Sequence, residues 1–76
     1  MTVKDLKVFL IEHNTPEDLY SLDGGLPNEA YCIEKITSGW HVYYSERGKK
    51  NTIGRFDTEE AAVRCFLDAI PKEYRR

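Results

Sequence analysis

Excess positive charge, long apolar stretches and cysteine are what this chain has least of, and each shortage removes a class of function. The 76 residues carry 11 Lys and Arg against 13 Asp and Glu, a net charge of −2. With pI ≈ 5.6, that balance argues against general affinity for nucleic acid or an anionic membrane. No apolar run approaches the ~18 residues of a membrane span. The opening Met-Thr-Val-Lys-Asp lacks the basic, apolar and small-residue order of a secretory signal. The expected compartment is therefore the cytoplasm, with no membrane partner. Cysteine is confined to Cys32 and Cys65. Their spacing fits no zinc motif and a reducing cytosol disfavours a bridge, so both are read as free thiols serving as small apolar residues. Neither GxxxxGK[ST] nor GxGxxG occurs, since Gly24-Gly25 stands alone before Leu26. No cofactor and no metal are expected.

What is present describes a folded module. Hydrophobic residues make up 41% and charged residues 32%, the balance of a folded chain rather than a disordered one. Residues 1–76 make one domain, and a chain of this length buries about 60% of its surface on folding. That leaves room for one small core and no enclosed, roomy cavity.

Residues 2–13 read as a helix. Thr2 and Asp5 are placed to cap it, and Val3, Leu6 and Leu10 fall on one face with Phe9 at its flank. Val8 and Ile11 widen the stripe, which predicts cover on more than one side. Thr15-Pro16-Glu17-Asp18 signals a second start, with Thr15 as N-cap, but Gly24-Gly25 and Pro27 limit that helix to a turn or two. Strands are predicted over 30–36, 40–45 and 51–56, joined by Thr37-Ser38-Gly39 and by Arg47-Gly48-Lys49-Lys50. In the second strand Trp40, Val42 and Tyr44 share one face, while His41, Tyr43 and Ser45 share the other. The last helix is the clearest element. Asp57 or Thr58 caps it, Glu60 completes a box with Asp57, and Val63, Phe66, Leu67 and Ile70 repeat at helical spacing before Pro71. Ala62, Cys65 and Ala69 form a stripe of small residues predicted to pack near the first helix. The expected fold is α+β: a three-stranded antiparallel meander with helices on one face, in the order α–(α)–β–β–β–α. Its other face is expected to be open for work.

Catalytic signals are poor. His13 and His41 have no evident nucleophile beside them, and no carboxylate pair is spaced for acid–base work. A Cys32–His41 pair across adjacent strands is conceivable, but Cys32 in the core and His41 on the open face is the preferred reading. No enzyme is expected. Charge distribution says more. Val8 through Glu34 contains no Lys or Arg but six acids, Glu12, Glu17, Asp18, Asp23, Glu29 and Glu34. Lys35 through Phe56 carries Lys35, Arg47, Lys49, Lys50 and Arg55 against Glu46 alone. Tyr20, Tyr31, Tyr43, Tyr44 and Trp40 lie among these charges, and Tyr and Trp are enriched at interface centres. Trp40 and Tyr44 are assigned to the core, which makes Tyr43 the better contact.

Three stretches carry a resemblance: Gly25-Leu-Pro-Asn-Glu-Ala-Tyr-Cys-Ile-Glu34, Trp40-His-Val-Tyr-Tyr-Ser-Glu-Arg-Gly48, and Phe56-Asp-Thr-Glu-Glu-Ala-Ala-Val-Arg-Cys-Phe-Leu-Asp-Ala-Ile70. Together they resemble small bacterial immunity proteins encoded beside polymorphic toxins, of the contact-dependent-inhibition and Maf type. The resemblance implies a protein that binds one cognate toxin domain, often a nuclease, and blocks it in the producing cell. A nuclease needs a basic groove, and carboxylates are able to imitate the phosphates it binds. The expected contacts are Asp23, Glu29 and Glu34 as phosphate-like acids, Tyr31 and Tyr43 as anchors, and Glu46 and Arg47 on the hairpin.

The element order also resembles the double-stranded RNA-binding domain, in topology alone. Such domains grip phosphate with basic groups at the start of the last helix. Here that position reads Asp57-Thr58-Glu59-Glu60, which leaves only the basic hairpin for RNA. Nucleic acid is therefore the alternative partner and not the expected one. An exposed edge strand leaves a homodimer open.

Overall fold

A computed structural model describes residues 1–72 of the chain. In order they form α1 (Val3–Glu12), a 3-10 turn (Glu17–Leu19), β1 (Tyr20–Ser21), β2 (Ala30–Ile36), β3 (Gly39–Glu46), β4 (Lys49–Phe56) and α2 (Glu59–Ala69). The class is α+β, as the pattern predicts, but the sheet is not a three-stranded meander. It has four strands in the order β1-β2-β3-β4. β2, β3 and β4 pair antiparallel, and β1 runs parallel to β2 with Tyr20 opposite Tyr31 and Ser21 opposite Cys32. A two-residue strand is too short to show an alternating pattern, so its sequence carries no strand signal.

The caps explain where the helices begin. Thr2 Oγ1 accepts from the Asp5 amide at 3.2 Å while Asp5 Oδ2 accepts from the Thr2 amide at 3.0 Å, a closed capping box. These hydrogen bonds from Thr2 hold the Asp5 carboxyl below its usual range. α2 is capped by Thr58, whose Oγ1 accepts from the Ala61 amide at 3.2 Å, so the Asp57–Glu60 box is not the one used. Glu59 instead accepts from the Val3 amide at 2.8 Å and ties the two helix starts together. Thr15 caps nothing. Asn14 takes φ 55° and the Thr15 amide donates to Leu10 O at 3.0 Å, so Thr15 closes α1 and Pro16 precedes the 3-10 turn.

Both helices lie on one sheet face. The main core joins Leu6 and Leu10 of α1, Ile33 of β2, Val42 of β3, and Ala62, Val63, Phe66 and Ile70 from α2 and its end. Val8 and Ile11 stay 54% and 58% exposed, so α1 is covered on one side only, contrary to the wide stripe. Of the small-residue stripe, Ala62 joins the core with Leu6 and Leu10, whereas Cys65 lies toward β4. A Cβ on Gly54 would sit 3.7 Å from its Sγ.

The second face is covered over β2 and β3 and open only along β4, where Lys50 and Thr52 are exposed. The loop 22–29 crosses it and is fastened by side chains from below. Tyr43 donates its hydroxyl to Gly25 O at 2.6 Å, Ser45 donates to Pro27 O at 2.6 Å, and Ser21 donates to Gly24 O at 2.7 Å. His41, Tyr43 and Ser45 are consequently 5%, 0% and 0% exposed. Ala30, Cys32 and Tyr43 form a small second core there, in which burial pushes the Cys32 thiol up. Gly24 makes the close approach feasible: at φ +76° a Cβ would stand 2.9 Å from Glu34 Oε1. Among the described residues no helix is long and apolar enough to cross a membrane.

Candidate functional site

The turn chemistry of two loops sets one end of the sheet apart. β3 and β4 are joined by Arg47 and Gly48 alone, at φ 51° and 75°, so the strand begins at Lys49 and not at residue 51. A two-residue hairpin with both central φ positive is best served by Asn-Gly. Arg47 occupies the first of these positions at a steric cost. Glu29, the last residue before β2, also sits at φ 51°. Ala30 stands opposite Ser45 in the register, which brings Glu29 and Glu46 to the same end of the strand pair.

Aromatic rings continue this end onto the helix-bearing face. Tyr31 stands opposite Tyr44, with ring centroids 4.8 Å apart and planes at 59°. Tyr20 stands opposite Tyr31 on the other side, so three half-buried tyrosines run in a row across β1, β2 and β3. The Tyr44 hydroxyl is raised above its ordinary value first by desolvation, then by the negative charges of Glu29 and Glu46, then by Tyr31. Both carboxylates thus act on one phenol. The result is an aromatic row flanked by two carboxylates, Glu29 and Glu46, and by two cations at the turn, Arg47 and Lys49, the latter opposite Glu46 in the register.

Of the expected contacts, Glu29, Tyr31, Glu46 and Arg47 meet at this end. The other three do not. Asp23 is exposed and lines a groove between α1 and β1, across from Lys4 and Lys7. Glu34 lies five residues along β2 from Glu29, roughly 16 Å at strand rise. The three phosphate-like acids therefore form no single flank. Tyr43 is fully buried beneath the loop and presents no surface, because the face assigned to it is the one the loop covers. Tyr20 and Tyr44, which stand in the same row, are not among the expected contacts. Alternation places Tyr44 correctly with Trp40 and Val42, but the sheet extends past full burial, leaving Tyr44 half-exposed.

A second cluster sits on the covered face. Glu34 Oε2 lies 2.9 Å from His41 Nδ1, and Lys50 Nζ donates to both Glu34 oxygens at 3.2 and 3.1 Å. His41 Nε2 lies 2.9 Å from Thr52 Oγ1. Lys50 Nζ also stands 5.0 Å from the Tyr43 ring centroid. Burial alone would raise the Glu34 carboxyl, but the hydrogen bonds from His41 and Lys50 and the Lys50 charge win, and its pKa falls below the ordinary 4.5. A carboxyl depressed in the folded state stabilises the fold above its unfolded pKa, and that contribution is lost as pH falls through the folded value. In urea titrations, wild-type protein is expected to lose stability between neutral pH and pH values below 4.5 more steeply than Glu34→Gln. Parallel slopes for the two proteins would show that the pair contributes nothing.

No family model, curated protein or solved structure matches this chain.

Proposed function

We propose that this chain is a non-catalytic inhibitor that binds a cognate toxin domain, a nuclease, in the cytoplasm of the producing cell. It occludes the active site or substrate groove with the end of the sheet that carries Tyr20, Tyr31, Tyr44, Glu29, Glu46 and Arg47. The toxin as partner rests on the resemblance of the three sequence stretches. The contact surface rests on one observation: two charged residues, Glu29 and Arg47, hold left-handed backbone conformations beside a row of half-buried tyrosines. Glycine or asparagine would fold more cheaply at both positions, and strain kept at charged positions clusters at functional sites. Glu29 and Glu46 suit a basic groove, where opposite potentials speed association. Tyrosines supply rigid contact area at its centre.

Strain retained for binding has a signature. Arg47→Asn and Glu29→Gly should each stabilise the fold by roughly 0.5–1 kcal/mol and at the same time weaken toxin binding. Chemical melts and titration calorimetry read the two effects. Stabilisation with unchanged affinity would detach these residues from the site.

The direct experiment is inhibition. The toxin domain encoded by the adjacent gene is expected to lose nuclease activity on addition of one equivalent of this protein. Full activity at excess inhibitor would overturn the reading. An RNA-binding role through the basic hairpin is less well supported, since Lys50 is engaged with Glu34 and Tyr43. A gel shift with duplex and single-stranded RNA at low salt is expected to stay blank.

A further inference from the structure

The covered face holds an arrangement that toxin binding does not use. Glu34, depressed below its ordinary pKa, is a carboxylate at neutral pH and only accepts hydrogen bonds. Its partner His41 Nδ1, 2.9 Å away, must therefore carry the proton. When the ring carries its single proton on Nδ1, Nε2 has a lone pair, and the Thr52 hydroxyl 2.9 Å from that nitrogen is placed to donate to it. Carboxylate, imidazole and hydroxyl thus stand in the order that activates an alcohol for nucleophilic attack.

The surroundings support the same chemistry. His41 is 5% exposed, so its ring is fixed and shielded, whereas Thr52 is exposed on β4, the outer strand of the sheet. Val42 pairs with Gly54 and Tyr43 with Thr52, so Ile53 is an extra residue with no partner across the ladder. The residue left over in a bulge stands outside the regular pairing, and bulges recur beside reactive groups.

We propose that Thr52 is a nucleophilic hydroxyl, activated by His41, that accepts an acyl group from activated acyl esters. Thr52 Oγ1 bonds to the acyl carbon as its proton passes to His41 Nε2 and the carbonyl electron pair moves onto oxygen. The tetrahedral intermediate collapses, the bond to the leaving group breaks, and the leaving group departs with its electron pair. His41 then returns its proton to water. The transfer is stoichiometric and needs no oxidant, reductant or metal. Glu34 is a positioning residue that fixes the ring tautomer.

p-Nitrophenyl acetate is the probe, with peptide mass spectrometry locating the acetyl group. Thr52 is expected to be acetylated on the order of a hundredfold faster than Thr37 or Thr58, the gain expected of a positioned general base. Thr52→Ser keeps the reaction. Thr52→Val, a near-isosteric change at an exposed site, abolishes it at that position with the fold intact. His41→Gln removes it too, and a matching amide spectrum excludes unfolding as the cause. Imidazole nitrogen resonances report the Nδ1–H tautomer in the wild type, and Glu34→Gln shifts the ring toward the other tautomer and slows acetylation. Acetylation of Thr52 no faster than of Thr37 or Thr58 would overturn the proposal. So would a rate unchanged in a folded His41→Gln protein. Neither result bears on toxin inhibition.

Discussion

Reversing Glu29 and Glu46 together to lysine is expected to slow association with the toxin domain by about tenfold or more at low salt. The two carboxylates sit at one end of the β2–β3 pair and act on the same phenol, so their fields add toward the same region of solvent. Electrostatic steering of this kind fades as the Debye length shortens, to about 3 Å at 1 M salt, so the wild type and the double variant should converge there. Tyr44→Ala is expected to act differently. Its ring is half-exposed and braced by Tyr31 at 4.8 Å, the condition of a contact anchor rather than of a core residue. Its loss should raise the dissociation rate and cost about 2 kcal/mol, roughly thirtyfold in Kd, with little change in association. Stopped-flow mixing separates the two rates. A double variant that associates as fast as wild type would show that Glu29 and Glu46 do not steer the toxin, and a Tyr44→Ala complex of unchanged lifetime would show that Tyr44 is no anchor.

Tyr43→Ala should cost stability and not recognition. The ring is fully buried, packs with Ala30 and Cys32, and holds the loop 22–29 through its hydroxyl, 2.6 Å from Gly25 O. Removing so large a buried side chain typically costs about 3–5 kcal/mol, much of the stability of a domain this small. Tyr43→Phe loses only the hydrogen bond and should cost about 1 kcal/mol. It should bind the toxin domain with wild-type affinity. Urea melts and calorimetry on the two variants test the assignment, and a folded Tyr43→Phe with tenfold weaker binding would return Tyr43 to the interface.

Tyr43 also shows where the sequence runs out. Alternation in 40–45 correctly divides β3 into two faces, because a strand's period is strict. It cannot say what lies over either face. The cover here is a loop of Gly, Pro, Asn and Asp, whose main-chain carbonyls accept from Tyr43 and Ser45, and such contacts leave no periodic trace. The helices were legible for the opposite reason. Thr2 with Asp5, and Val63, Phe66 and Ile70 at helical spacing, are local signals that packing only reinforces. Glu29, Tyr31, Glu46 and Arg47, singled out through charge, aromatic content and the turn, stand at one end of the sheet. Glu34 was read as a free acid because the side chains that engage it, His41 and Lys50, come from other strands. Tyr20 was invisible as a sheet residue, since a two-residue parallel strand is defined by its partner alone.

Where the toxin lands on this protein decides between the sheet end and every other surface. Amide hydrogen exchange of this protein, free and with the toxin domain bound, maps that contact without altering a residue. Added protection is expected at residues 20, 29–31 and 44–48 and nowhere along the outer side of α1. Protection centred on Lys4–Ile11 with residues 44–48 unchanged would contradict it.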